Sequence, residues 1–194
     1  MMKLLLKGSL SFILIMGCGL LTLHCDEQAV TNENQTVYLI PMASGNQWHY
    51  EVNLVDSLGT VLATSNESVR IYGDTLVGGS IWFGFSAQGY KINKADGVWQ
   101  LLPTPYLEFP LDIGDSVLQG NGATYIRLTS KGTRVSIPAG TYVCFEYSET
   151  NPLFSLPVNT YYVAPSLGLV KKEAYSGLSP YPTTVSQLVV AELK

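Results

Sequence analysis

The stretch QWHYEVNLV, residues 47–55, alternates without a break. Trp48, Tyr50, Val52 and Leu54 fall on one face, and Gln47, His49, Glu51 and Asn53 on the other. Side chains that change sides at every residue have the period of a strand. The same period marks VCFEY, where Val143, Phe145 and Tyr147 oppose Cys144 and Glu146. Near the end, TVSQLVVAEL becomes apolar on both faces, which suits a strand that is central or covered. Beyond residue 35 no window carries the 3.6-residue stripe of an amphipathic helix.

Gly and Pro separate these runs. KADGVW holds Asp96-Gly97, a pair that tolerates the positive φ of a tight hairpin. IPAG sets Pro138 and Gly140 at the second and fourth positions of a turn. Between Val37 and Leu193 there is room for about eight to ten strands. Strand after strand with short turns predicts an all-β fold: a single antiparallel domain, either a strongly curved half-barrel sheet or a sandwich. IPMASGN (40–46) and FPLDIGD (109–115) share one pattern, apolar-Pro-apolar-x-x-Gly-Asn/Asp, each ahead of a strand. A repeated turn, with Pro fixing the backbone and Gly supplying the unusual dihedral, explains the pattern physically. It leaves open a duplicated half-domain or coincidence.

Ahead of the strands lies a different kind of chain. MMKLLLKGSLSFILIMGCGLLTLHC has Lys3 and Lys7 as its only charges, and from Gly8 to Leu23 it is almost wholly apolar. A positive flank followed by an apolar run and a polar chain is an export signal, with an uncleaved membrane anchor as the competing reading. Its two cysteines narrow the choice. LIMGC places small Gly17 before Cys18, as in the apolar-small-Cys box of bacterial lipoprotein signals. LTLHC places bulky His24 before Cys25, but the polar chain begins only at Asp26. One of Cys18 and Cys25 is the expected site of acylation, and two or more acyl chains give stable anchoring. The expected organisation is therefore a signal segment over 1–24, with cleavage before Cys18 or Cys25. A polar tether follows over 26–35, then a β domain over 36–194. Cys144 reads as a small buried filler.

Charge and chemistry exclude more than they assign. The chain has 11 basic and 15 acidic residues, and all the acids lie beyond the leader. That excess argues against nucleic acid and against an electrostatic grip on anionic headgroups. His49 is the one histidine in the domain, too few for a His-rich metal site. Ser86 in GFSAQG does not sit in a Gly-x-Ser-x-Gly elbow. Asp112 and Asp115 flank Gly114 in a turn that favours Asp for its own reasons. No phosphate-cradling loop is present. The reading is of a non-enzyme with no catalytic residue, no metal and no cofactor.

Aromatic residues carry the remaining signal. In SIWFGFSAQGY, Ile81, Phe83 and Phe85 share one face and Trp82 takes the other; Trp99 lies beyond. Most aromatics of a β domain fill its core. The sharper reading makes Trp82, Phe83, Phe85 and Trp99 a ligand-binding set in an apolar groove on a curved sheet.

Three pieces of the chain in order, YLIPMASGNQWHYEV, VSIPAGTYVCFEY and YYVAPSLGLVKKE, resemble a loose group of bacterial envelope lipoproteins of unknown function. These share a Pro-x-x-x-Gly-Asn-x-Trp-x-Tyr opening, a Pro-Ala-Gly-Thr-aromatic turn and a Tyr-Tyr-x-Ala-Pro-x-x-Gly-Leu-Val-Lys segment. The resemblance implies an antiparallel β domain like the curved half-barrels that carry or sense lipidated material. It supplies no substrate. Pro41, Gly45, Trp48, Tyr50, Pro138, Gly140, Pro165 and Gly168 stand at its turn and core positions. The functional expectation is an envelope lipoprotein, outer-membrane-anchored, facing the periplasm or cell surface. It would bind a lipid or other hydrophobic ligand, or dock on an envelope protein partner; a hydrolase is the distant third reading.

Overall fold

The computed structural model describes residues 38–86, 88–102, 104–154, 156–176 and 179–194. The signal segment, the tether, Cys18 and Cys25 lie outside the described residues. The rest belongs to one compact unit, Thr36–Lys194.

Twelve strands run in chain order: β1 (Gln47–Val55), β2 (Val61–Val77), β3 (Ser80–Phe85), β4 (Gly89–Lys94), β5 (Gly97–Leu102), β6 (Thr104–Pro110), β7 (Ser116–Leu118), β8 (Tyr125–Ile137), β9 (Gly140–Thr150), β10 (Pro157–Ala164), β11 (Gly168–Tyr175) and β12 (Pro182–Glu192). All pair antiparallel in one sheet, ordered β6-β5-β4-β3-β2-β1-β12-β11-β10-β9-β8-β7. The fold is all-β, and of the two arrangements the sequence allowed it is the curved sheet, not the sandwich. Twelve strands replace the expected eight to ten. LLPTPYLEFP holds parts of two paired strands, one ending at Leu102 and one beginning at Thr104, and β7 is only three residues long, too short for any period to show.

The sheet curls until its edges, β6 and β7, stand side by side. No ladder joins them; side chains close the seam. Gln119 Nε2, just past β7, donates to Glu108 O of β6 at 3.4 Å, and Tyr147 Oη of β9 reaches Pro110 O of β6 at 3.0 Å. The Tyr106 ring lies against Gly120, where a Cβ would stand 2.5 Å from the ring. Because each hairpin reverses direction, the loops fall at two ends. Tyr38, the segment up to Asn46, and Lys194 mark the lower end. The β1–β2, β9–β10 and β11–β12 loops stand at the upper end.

The two halves of the sheet start alike. Gly45, ahead of β1, has φ +90° and donates to Ile71 O of β2 at 2.8 Å. Gly114, ahead of β7, has φ +88° and donates to Leu128 O of β8 at 2.9 Å. Each then leads into a strand paired one register step on, Gln47↔Arg70 in one half and Ser116↔Arg127 in the other. The echoed sequences thus make the same turn at equivalent places in two six-stranded meanders.

The core lies on the concave side. Trp48 and Tyr50 point in and reach across the interior: Trp48 Nε1 donates to Leu167 O at 2.7 Å, and Tyr50 Oη to Leu169 O at 3.0 Å. Phe85 stacks on Trp48 with centroids 6.0 Å apart. Asn46, fully buried, ties the lower end together. Its amide donates to Pro41 O, and its Oδ1 accepts the backbone N–H of Lys194. Cys144 is a buried free thiol, as expected, and burial pushes its pKa up to about 11.

Candidate functional site: an amphipathic cavity inside the curled sheet

A sheet of eight strands closes around an interior just wide enough for side chains, and a wider one leaves space. Here the space is a cavity of about 360 Å³. Its floor, toward the lower end, is made by Ile40, Trp48, Gly168 and Leu169. Its walls carry Val69, Phe85, Phe109 and Tyr161. Gln88, of the β3–β4 turn, lies toward the other end with Glu67, Lys172 and Ser186.

Charged groups line this cavity in an ordered way. Lys91 Nζ donates to both oxygens of Glu108, at 2.7 and 2.6 Å. Their side chains are 5% and 15% exposed. The ammonium also lies 5.7 Å from the Phe85 ring centroid. Glu108 reaches the interior because of an irregularity in the ladder. Val98 pairs with Phe109, but the next residue, Trp99, pairs with Leu107, so Glu108 is the extra residue of a bulge. Such an insertion re-aims a side chain that strict alternation would send outward. Buried Gln100 donates to Gln88 O at 2.7 Å and accepts from Tyr106 Oη at 3.0 Å. Deeper in the wall, Glu149 accepts from Tyr161 Oη and Thr124 Oγ1, both at 2.6 Å, and from Asn159 Nδ2 at 2.7 Å. This carboxylate is fully engaged and holds the Tyr161 ring edge-on to Phe109.

Lys172 differs from Lys91. It lies 5.4 Å from the Tyr161 centroid and has no ion-pair partner among the described residues. The tyrosines around the cavity are held as neutral hydroxyls. Burial, with Glu67 second, raises the pKa of Tyr50; burial, with Glu149 second, raises that of Tyr161. Tyr106 is pushed up to about 12 by burial and then by Glu108 and Glu149. The cavity thus offers aromatic surface, neutral donors and a pre-paired lysine, with one unpaired cation toward its upper side.

The four aromatics singled out in the sequence part company. Phe85 lines the cavity. Phe83 lines a second pocket of about 430 Å³ at the lower end, with Tyr38, Met42, Ile92 and Asn93. Trp82 and Trp99 lie on the other face of the sheet. There Lys94 Nζ stands 5.8 Å and 4.4 Å from their ring centroids, and Trp99 Nε1 donates to Asp96. His49 bonds Ser68 at 2.9 Å, and Ser86 Oγ accepts the backbone N–H of Arg70 at 2.9 Å, so the two are separately engaged. Among the described residues no three His, Cys, Asp or Glu side chains come together as a metal site. Lys91, Glu108, Gln100 and Tyr161 escaped the sequence reading. GYKINK shows Lys91 in phase with Asn93, opposite Ile92, which looks like a solvated face.

No protein-family model matches the chain, and no curated protein matches it. Two solved structures are similar. One is a protein from Bacteroides fragilis described as exported, with a YmcC-like fold. It is 14% identical with a TM-score of 0.43, over 80% of this chain and 99% of that one. The other is a protein from Parabacteroides distasonis described as a lipoprotein. It is 13% identical with a TM-score of 0.40, over 81% of this chain and 100% of that one.

Proposed function

We propose that this chain is a membrane-anchored envelope lipoprotein whose β domain holds a hydrophobic ligand and does no chemistry on it. The amphipathic cavity carries the reading. Ligand sites are concave and mostly apolar, of about 300–1,000 Å³, with a few fixed polar groups. The space beside Trp48, Phe85, Phe109 and Tyr161 fits in size, at about 360 Å³, and its aromatic wall faces a polar side fixed by the Lys91–Glu108 pair and Gln100. The leader supports the anchor: Lys3 and Lys7, the apolar run, and a cysteine at 18 or 25. The tether over 26–35 links the anchor to the domain. The same segment supports a cell-envelope location, and our reading puts the anchor in the outer membrane.

Native mass spectrometry of the domain from Asp26 onward, gently purified from the exporting cell, tests the reading. The expected result is a discrete extra mass that leaves on denaturation, or uptake of added fatty acid or phospholipid. A clean apo mass with no uptake sinks the carrier reading and turns the search to protein partners.

A further inference from the structure

We propose that the upper rim of the curled sheet is a docking surface for a lipid bilayer, which it enters with the tips of three neighbouring hairpins. The strand order sets β2, β1, β12, β11, β10 and β9 side by side, so the β1–β2, β11–β12 and β9–β10 loops are consecutive along one rim. Each ends in apolar side chains held out in solvent. Leu58 is 88% exposed, Leu153 86%, Tyr181 54% and Phe154 41%. An isolated exposed leucine needs no explanation, but four large apolar tips on three adjacent loops do.

The chemistry of the rim selects a bilayer as its occupant. Of all the residues in the upper-end loops, Asp56 alone is charged. Its carboxylate is already turned back on its own loop, accepting the N–H groups of Leu58 and Thr60 at 2.9 and 2.8 Å. Asp56 is thus the one charge these loops carry toward an interface, and its backbone partners already replace part of its water. With no Lys or Arg in those loops, the attraction is apolar and does not require anionic headgroups. The lower end shows the contrast. It also exposes apolar residues, Leu76 at 70% and Ile113 at 60%, but its turns carry Asp96, Asp112 and Asp115. The form fits too. Separate projecting tips offer a protein partner little continuous surface, whereas a fluid interface closes around each one. A tyrosine among the tips suits the headgroup level, where amphipathic rings collect.

The β unit from Thr36 onward has its own core and all twelve strands, so it is tested free of the leader and its anchor. The assay is co-sedimentation with phosphatidylcholine vesicles at low and high salt. The comparison is between the unaltered unit, a rim pair (Leu58→Asp with Leu153→Asp) and a lower-end pair (Leu76→Asp with Ile113→Asp). All four positions are exposed, and the urea midpoint of each variant is measured beside the binding. The unaltered unit and the lower-end pair should bind at both salt levels. The rim pair should bind at least about tenfold more weakly while staying folded. The proposal is overturned if the unaltered unit ignores the vesicles, if high salt releases it, or if both pairs weaken binding equally. A unit that ignores vesicles but self-associates through Leu58 and Leu153 would be using the rim as a protein interface, which also overturns it.

Discussion

Lys91 and Glu108 make the most informative perturbation, because both charges lie inside the sheet and each is the other's only ion partner among the described residues. Glu108→Gln keeps the shape and one carbonyl acceptor but leaves the ammonium buried without a counter-charge. Breaking a buried pair from one side costs about 3–5 kcal/mol. Lys91 borders a cavity that admits water, which places the loss near the lower bound, about 3 kcal/mol. Replacing both partners by apolar groups removes the stranded charge along with the attraction, so Lys91→Met with Glu108→Leu should lie within about 1 kcal/mol of the parent. Urea unfolding followed by tryptophan fluorescence reads this directly, since Trp48 and Trp82 are nearly fully buried. With a slope of about 2 kcal/mol per molar urea for a domain of this size, Glu108→Gln should lower the midpoint by about 1.5 M. The double variant should restore most of it. A shift below about 0.5 M for Glu108→Gln, or a double variant no more stable than Glu108→Gln, would refute the view that the interior around the cavity is dry enough to make this pair matter.

Two further outcomes follow from the same geometry. Gly97 has φ +143°, and a Cβ there would stand 2.0 Å from Phe109 O, so Gly97→Ala should cost at least about 3 kcal/mol and lower the melting temperature by about 6–12 °C. Gly132→Ala, where the added atom meets nothing within 4 Å, should be near neutral, and equal melting points for the two would refute the clash. Cys144 and Tyr106 have folded pKa values pushed up to about 11 and about 12. Both hold the proton more tightly folded than unfolded, so their stabilisation is complete below the ordinary thiol value and is lost as pH rises through the folded values. In the domain from Asp26, Cys144 should resist iodoacetamide at about pH 9 and label fully once unfolded; labelling of the folded domain at a free-thiol rate would contradict the burial.

The strands of this fold were written in its alternation and its turns in its Gly and Pro. QWHYEVNLV reads as β1, and the Gly-Asn/Asp echo reads correctly as one turn made twice. Sheet closure was not legible, because it depends on contacts such as Tyr147 Oη of β9 on Pro110 O of β6, between residues far apart in the chain. The cavity was half legible. Parity correctly opposes Trp82 to Phe83 and Phe85, but parity does not say which face of a sheet becomes concave. Glu108 was beyond reach for a sharper reason. It faces inward through a bulge, and one extra residue reverses everything that a period-two reading would infer past it. The bilayer-facing tips were beyond reach too, because Leu58 and Leu153 look like core residues until the loops that bear them are placed.

The pairing of β1 with β12 has a bearing on how such a chain is made. These strands join Gln47 to Glu192 and Leu54 to Thr184, the first and last strands of the domain, in the middle of the sheet. Each flanking meander can form from local hairpins, but the join between them waits for β12, the last strand of the domain. Contacts of such long sequence separation are slow to form. The latch of this sheet is therefore its least local ladder, and the two meanders stay unjoined until β12 has found β1.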